Sequence, residues 1–183
     1  MAMDGQVVAA LNRQVVIELD TSYLYLQMAT WFEGRKLAGL CGWMRRQANA
    51  EVAHAQILFK YLVEREAEAT FAKVDAPKRS FRSGREILTR ALAQARLVEG
   101  CIGRALDTAA RSGDRATSSL LDWFAYEQSE TEERFSRMHE RARHWGDAES
   151  LRALDAELAA GEQRIPESLH ARPFCRLLFV DAS

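Results

Sequence analysis

Four stretches of this chain carry apolar residues at helical spacing, and each stripe breaks near its middle with a side chain that can serve a metal site. The first stripe is Val8, Leu11, Val15, Glu18, Ser22, Tyr25, Ala29 and Phe32. The second is Leu40, Met44, Gln47, Glu51, His54 and Leu58, and the third is Leu88, Leu92, Ala95, Glu99, Ile102, Leu106 and Ala109. The fourth is Leu121, Phe124, Gln128, Thr131, Phe135 and Met138. A carboxylate inside such a stripe costs roughly several kcal/mol unless it is paired, protonated or bound to a cation. No Lys or Arg lies in the stripes to neutralise these acids. Glu51 and His54 are three residues apart, so one helix face presents both. Three carboxylates and one imidazole make a hard, oxygen-rich donor set. That set suits iron or manganese better than structural zinc, which favours thiolate and imidazole. Three carboxylates also balance much of the charge of two divalent ions.

Each residue also has a plainer reading. A lone mid-stripe Glu more often reaches the rim or pairs with a basic neighbour. Glu-x-x-His arises by chance, as Glu167-Ser168-Leu169-His170 shows; that copy lies between Pro166 and Pro173 with no facing stripe. Gln47 and Gln128 can hydrogen-bond within a helical core, and Tyr25 can be a core tyrosine. The joint pattern favours the metal reading, because four independent breaks at one depth are improbable.

The elements that must hold these residues are long helices. The three prolines all lie at position 77 or beyond, which leaves the first two stripes unbroken. The pattern predicts helices over about 4–33, 37–66, 83–112 and 115–144, with a short fifth helix from Asp147 to about Ala160. Gly39 and Gly42 blur the start of the second helix. Ser83 with Glu86 forms a capping-box signature, and Gly113-Asp114 is a turn signal. Short links join helices one to two and three to four, so each pair forms an antiparallel hairpin. The link between helices two and three is long. About 16 extended residues reach roughly 50 Å, and a 28-residue helix spans about 42 Å. The link can therefore run the bundle's full length and leave helices two and three parallel. The expected fold is an all-α four-helix bundle with one long crossover. The division is 1–160 for the helical domain and 161–183 for a C-terminal extension. The extension contains the apolar CRLLFV and is either a docking segment or a loose end.

Bulk properties fit this picture. The chain has 183 residues, 48% of them hydrophobic and 28% charged, suited to one domain with a sizeable core. A net charge of −1 argues against nucleic acid as a partner. No apolar run approaches the ~20 residues of a membrane span, and the N-terminus lacks the pattern of a signal peptide. Cys41, Cys101 and Cys175 are widely spaced and outside any CxxC, which fits a reducing compartment. A cytoplasmic location is expected.

The segments NRQVVIELDTSYLYLQMATWF, RRQANAEVAHAQILFKYL and LLDWFAYEQSETEERF resemble the non-haem bacterial ferritins. The resemblance covers roughly residues 5–160. It implies a shell of twenty-four subunits that oxidises Fe(II) with dioxygen and stores a ferric mineral. By position it implies that Glu18 and His54 hold the first iron and that Glu51 bridges both. Glu99 would hold the second iron, with Gln128 beside it, and Tyr25 would hydrogen-bond at the site and supply an electron.

Departures from related patterns refine the expectation. Bacterioferritins are similar but carry a second Glu-x-x-His on helix four, where this chain has Gln128 and Thr131. Their haem-ligating Met falls at Val52, so no haem is expected. A third iron site uses a Glu at the position of Ala50 and an acid at that of Thr131. Glu127 and Glu130 remain, which leaves the third site undecided. The rival readings are a di-iron carboxylate oxidoreductase that stores no mineral, and a metal-free helical interaction module.

Overall fold

The computed structural model describes residues 2–77, 80–144 and 147–161. Five helices make up the described elements: α1 (Gly5–Glu33), α2 (Ala38–Glu64), α3 (Gly84–Arg111), α4 (Arg115–His144) and α5 (Asp147–Gly161). The expected helices are all present, with ends shifted by up to two residues. The second Glu-x-x-His, the CRLLFV segment, Cys175 and the break at Trp145-Gly146 lie outside the described residues.

Hydrogen bonds between elements fix their directions. Asn12, early in α1, donates from Nδ2 to the Glu68 carbonyl at 2.9 Å, just beyond the end of α2. Later in α1, Glu18 faces His54 in mid-α2. The two helices are therefore antiparallel. Gln94 on α3 donates to Thr21 at 2.8 Å, and Trp31 donates to the Phe81 carbonyl just before α3, also at 2.8 Å. So α3 too is antiparallel to α1, and α2 and α3 are parallel. The crossover runs down the flank of α1, pinned at its top by Asn12 and at its foot by Trp31. Asn12 holds it twice, because Thr70 N donates to Asn12 Oδ1 at 2.7 Å. On the other side, Arg65 at the end of α2 donates to both carboxylate oxygens of Asp114, at 3.3 and 3.1 Å. Asp114 in turn accepts from Thr117 N at 3.1 Å and so caps α4.

The helix ends show where chain chemistry sets geometry. α1, α2 and α3 each end in the same pattern, in which a residue with positive φ lets the next N–H reach back to the carbonyl five residues earlier. These residues are Lys36, Glu66 and Gly113, with φ of 58°, 55° and 71°. The closing bonds are Leu37 N to Phe32 O, Ala67 N to Leu62 O and Asp114 N to Ala109 O. Glycine, the residue that adopts this conformation without a steric cost, occupies only the third. At the start of α3, Ser83 Oγ accepts from Glu86 N at 3.1 Å, as the capping box requires. The returning Glu86 carboxylate accepts from Arg82 N at 2.7 Å, one residue before the cap.

α5 lies across the end of the bundle and supplies what the start of α2 lacks. Leu37, the residue before α2, makes no side-chain cap. Asp155 of α5 does so instead, accepting from Leu40 N at 2.8 Å. The contact requires Gly39: a Cβ there would run into the Asp155 carbonyl and would lie 2.7 Å from Ala159 N. The glycine that blurred the helix start in the sequence is thus the docking point of α5.

The apolar interior divides into two clusters. One holds Tyr25, Met28, Phe32, Met44, Leu88 and Phe135 and continues into α5 through Leu151 and Leu154. The other holds Leu11, Val15, Leu58, Ile102, Leu121 and Phe124. Between them lies a polar layer with buried Glu18, Gln47, Glu51 and Gln128.

Two glycine substitutions test this packing by thermal melting. Gly39→Ala should destabilise the protein by about 1–3 kcal/mol, because the obstructing atoms are backbone. Gly103→Ala, where a Cβ meets nothing within 4 Å, should instead stabilise α3 by about 0.5–1 kcal/mol. Equal effects at the two positions would contradict the docking of α5 on Gly39.

Candidate metal centre

The site sits where the two apolar clusters meet. Glu18 on α1 is fully buried and Glu51 on α2 is 1% exposed. His54 lies one turn beyond Glu51, at the rim. Glu18, Glu51 and His54 each bring one ligand-capable atom within 4.8 Å of the others. His54 Nδ1 is 3.0 Å from Glu51 Oε2 and 4.0 Å from Glu18 Oε2. The imidazole is held from the α4 side, with the Phe124 and Trp123 rings edge-on at centroid distances of 5.2 and 6.0 Å. Gln14, one turn before Glu18 and 1% exposed, donates from Nε2 to Glu18 Oε1 at 2.7 Å.

That bond leaves Glu18 Oε2 as the oxygen nearer His54. Glu18 Oε2, Tyr25 Oη and Gln128 Oε1 are buried and have no hydrogen-bond partner among the described residues. Leaving such an atom unsatisfied costs about 1–3 kcal/mol, more where it is charged. Glu18 and Gln128 belong to the polar layer, Tyr25 lies in the apolar cluster beside it, and all three atoms are oxygens. A hard cation between the carboxylates answers the missing interaction of Glu18 directly, so the donor set fits iron. Gln128 is fixed at its other end, where Nε2 donates to the Ala95 carbonyl on α3 at 3.1 Å.

Of the residues singled out in the sequence, Glu18, Glu51 and His54 converge, and Gln128 and Tyr25 are buried in or beside the same layer. Glu99 is half-buried on α3, one turn past Ala95, and its carboxylate lies outside the converging group. A partly solvated carboxylate gains nothing by approaching two buried ones of like sign unless a cation lies between them. Thr131 is half-buried and donates to the Glu127 carbonyl at 3.2 Å. Glu130 accepts from Tyr126 at 3.0 Å and faces Arg134 at 3.6 Å, which engages it at the surface of α4. The sequence reading overlooked Gln14, although its spacing of four from Glu18 was visible. It also overlooked the ring pair Trp123 and Phe124 that confines His54.

Burial raises the Glu18 carboxyl well above its ordinary value, and the neighbouring Glu51 charge pushes it further in the same direction. The Gln14 donor opposes this in part. Tyr25 is likewise pushed up, by burial first and then by the charges of Glu51 and Glu18, and so stays a neutral phenol.

A family profile described as the ferritin-like domain matches residues 8–144. The bacterial non-heme ferritin of Bacteroides fragilis is 30% identical over 149 residues, covering 81% of this chain and 93% of that protein. The bacterial non-heme ferritin of Staphylococcus aureus is 32% identical over 152 residues, covering 82% and 92%. Among solved structures, the open-pore ferritin of the archaeon Archaeoglobus fulgidus superposes with a TM-score of 0.83 at 31% identity. It covers 86% of this chain and 98% of its own. The chain belongs to the ferritin family. Its bacterial relatives carry the non-haem name, the group to which the sequence resemblance pointed.

The raised Glu18 carboxyl has a signed consequence. The folded state holds this proton more tightly than the unfolded chain, whose value is near 4.5. Its stabilisation is therefore complete below that value and is lost as pH rises through the higher folded one. Metal-free protein should melt at lower temperature as pH rises above about 4.5, and Glu18→Gln should flatten the slope. A saturating divalent ion should flatten it too, by replacing the proton. Parallel slopes for wild type and Glu18→Gln in a pH series of melting curves would remove Glu18 as the source.

Proposed function

We propose that this protein is an iron-storage ferritin whose subunits oxidise Fe(II) with dioxygen inside the helix bundle. The observation that carries the reading is the convergence of Glu18, Glu51 and His54 beside buried oxygens that lack partners. Ferrous ion is the substrate. Glu18 and His54 hold the first ion, Glu51 bridges to the second, and Glu99 swings in to hold that one with Gln128 beside it. Binding displaces the proton on Glu18, since the carboxylate must be ionised to act as a ligand.

Two ferrous ions release two electrons, which with two protons take one dioxygen to hydrogen peroxide. Any further reduction needs another donor, and we assign that role to Tyr25, whose hydroxyl is buried without a hydrogen-bond partner among the described residues and feels the charges of Glu51 and Glu18. The protein's contribution is orientation. Gln14 fixes one oxygen of Glu18, the α4 rings fix the imidazole, and the Ala95 carbonyl fixes Gln128. The absence of a second Glu-x-x-His on α4 makes the two iron positions unlike and separates this reading from that of a symmetric di-iron oxidoreductase. No haem participates, because Val52 offers no ligand atom.

Storage requires a closed shell, and we assign twenty-four copies to it. The count follows the resemblance to bacterial ferritins, and the support for self-association is apolar surface left uncovered in one subunit. Tyr23 and Leu26 on α1, Phe59 and Val63 on α2, and Phe71 on the crossover are all exposed, and the Phe59 and Phe71 rings meet at 5.4 Å. Side chains of this kind mark surfaces that meet a partner. Among the described residues no helix is long and apolar enough to cross a membrane. We assign the shell to the cytoplasm, with no nucleic acid among its partners.

Stopped-flow oxidation of Fe(II) tests the assignments. Glu51→Ala should abolish the fast phase, because both ions lose a ligand. His54→Ala should weaken the first ion alone and slow the phase by at least roughly 10–100-fold, the cost of losing even an outer-shell partner of a ligand. A wild-type rate in Glu51→Ala would remove Glu51 from the bridging role.

A further inference from the structure

A groove of about 370 Å³ opens between α1 and α3, on the flank of the bundle that does not carry α2. The small side chains of Ala10 and Ala105 lie along it, and buried Gln14 forms part of its lining. Because Gln14 donates to Glu18, the groove ends one hydrogen bond from the candidate centre. Three guanidinium groups line it, Arg13 from α1 and Arg104 and Arg111 from α3. Among the described residues Asp107 is the one acid in the lining, so they give the groove a net charge of +2.

The three arginines differ from many others on this surface. Arg96 pairs with Glu132, Arg137 with Glu133 and Arg141 with Glu157. Among the described residues, none of Arg13, Arg104 and Arg111 forms an ion pair, although Asp107 lines the same groove. Two of them are restrained by neutral atoms instead. Arg104 Nη2 donates to Cys101 Sγ at 2.9 Å, and Arg111 Nη2 donates to Thr108 Oγ1 at 3.2 Å. A thiol and a hydroxyl leave the charge of each guanidinium uncompensated and most of its N–H donors free.

Such a site repels a divalent cation, so it is not a route for ferrous ion. Its planar donor forks match the oxygens of a tetrahedral anion, and its volume accommodates one readily. We propose that the α1–α3 groove binds a small tetrahedral oxyanion of the inorganic phosphate class, with Arg13, Arg104 and Arg111 as donors. A dianion seated there cancels the positive charge beside Gln14 and Glu18. The inference does not depend on the ferroxidase reading, because the groove is complete in the chain without iron.

Calorimetric titration of the metal-free protein with inorganic phosphate tests it. Wild type should show saturable binding of one phosphate per chain. The Arg13→Gln, Arg104→Gln double variant should bind at least about tenfold more weakly, having lost two charge-assisted donors. An Arg90→Gln, Arg137→Gln double variant removes the same charge from exposed sites outside the groove and should bind as wild type does. All the substituted side chains are exposed, and matching melting curves verify that the variants fold. Three results would each overturn the site: no saturable binding by wild type, an unchanged affinity in the groove variant, or an equal loss in the control variant.

Discussion

Two carboxylates of like charge, Glu18 and Glu51, are buried within reach of one another, and the rest of the structure accommodates that constraint. Among the described residues neither has a Lys or Arg partner, and the basic group that faces both is the His54 ring. Burial and mutual repulsion together favour protonation of Glu18 in the metal-free chain. A cation relieves the same conflict without a proton and satisfies Glu18 Oε2, which no donor among the described residues reaches. The proposed binding of Fe(II) would thus be prepared by unfavourable electrostatics, which the ion would remove.

The bundle keeps this layer in place by sealing it between two apolar clusters and fixing the helix registers. The crossover cannot slide along α1, because Asn12 holds it at one end and Trp31 at the other. The Arg65–Asp114 pair joins the end of α2 to the start of α4, and Asp155 of α5 caps α2. A one-residue slip of any helix would rotate its mid-stripe residue by about 100° away from the layer. The peripheral polar contacts therefore act on the site by fixing register, though none of them touches it.

Much of this was legible because burial and periodicity are tied together. A stripe of apolar residues must face the core, so Glu18, Glu51 and Gln128 had to be buried if the helices formed at all. The length of the 65–83 link dictated a crossover for the same kind of reason. Other features were hidden because they depend on partners distant in sequence. Nothing local marks Asp155 as the cap of a helix more than a hundred residues earlier. The left-handed residues Lys36 and Glu66 lack the glycine that would have announced them. Glu99 shares the stripe pattern, but a stripe position fixes the backbone and leaves the rotamer of a half-buried acid open. The similarity to known ferritins shows the family and the fold, whereas the separate roles proposed for the ligands are carried over by position from that resemblance, and the geometry adds the convergence of Glu18, Glu51 and His54.

A buried two-ion centre that feeds a stored mineral can be checked most directly by aerobic titration of the metal-free protein with Fe(II), counting the iron that stays soluble with each chain after oxidation. Retention should run far above the capacity of the proposed centre, about two per chain, with the oxidised iron held inside an assembled shell. Saturation at about two would keep the centre and contradict storage, and the protein would then be a redox enzyme acting on another substrate.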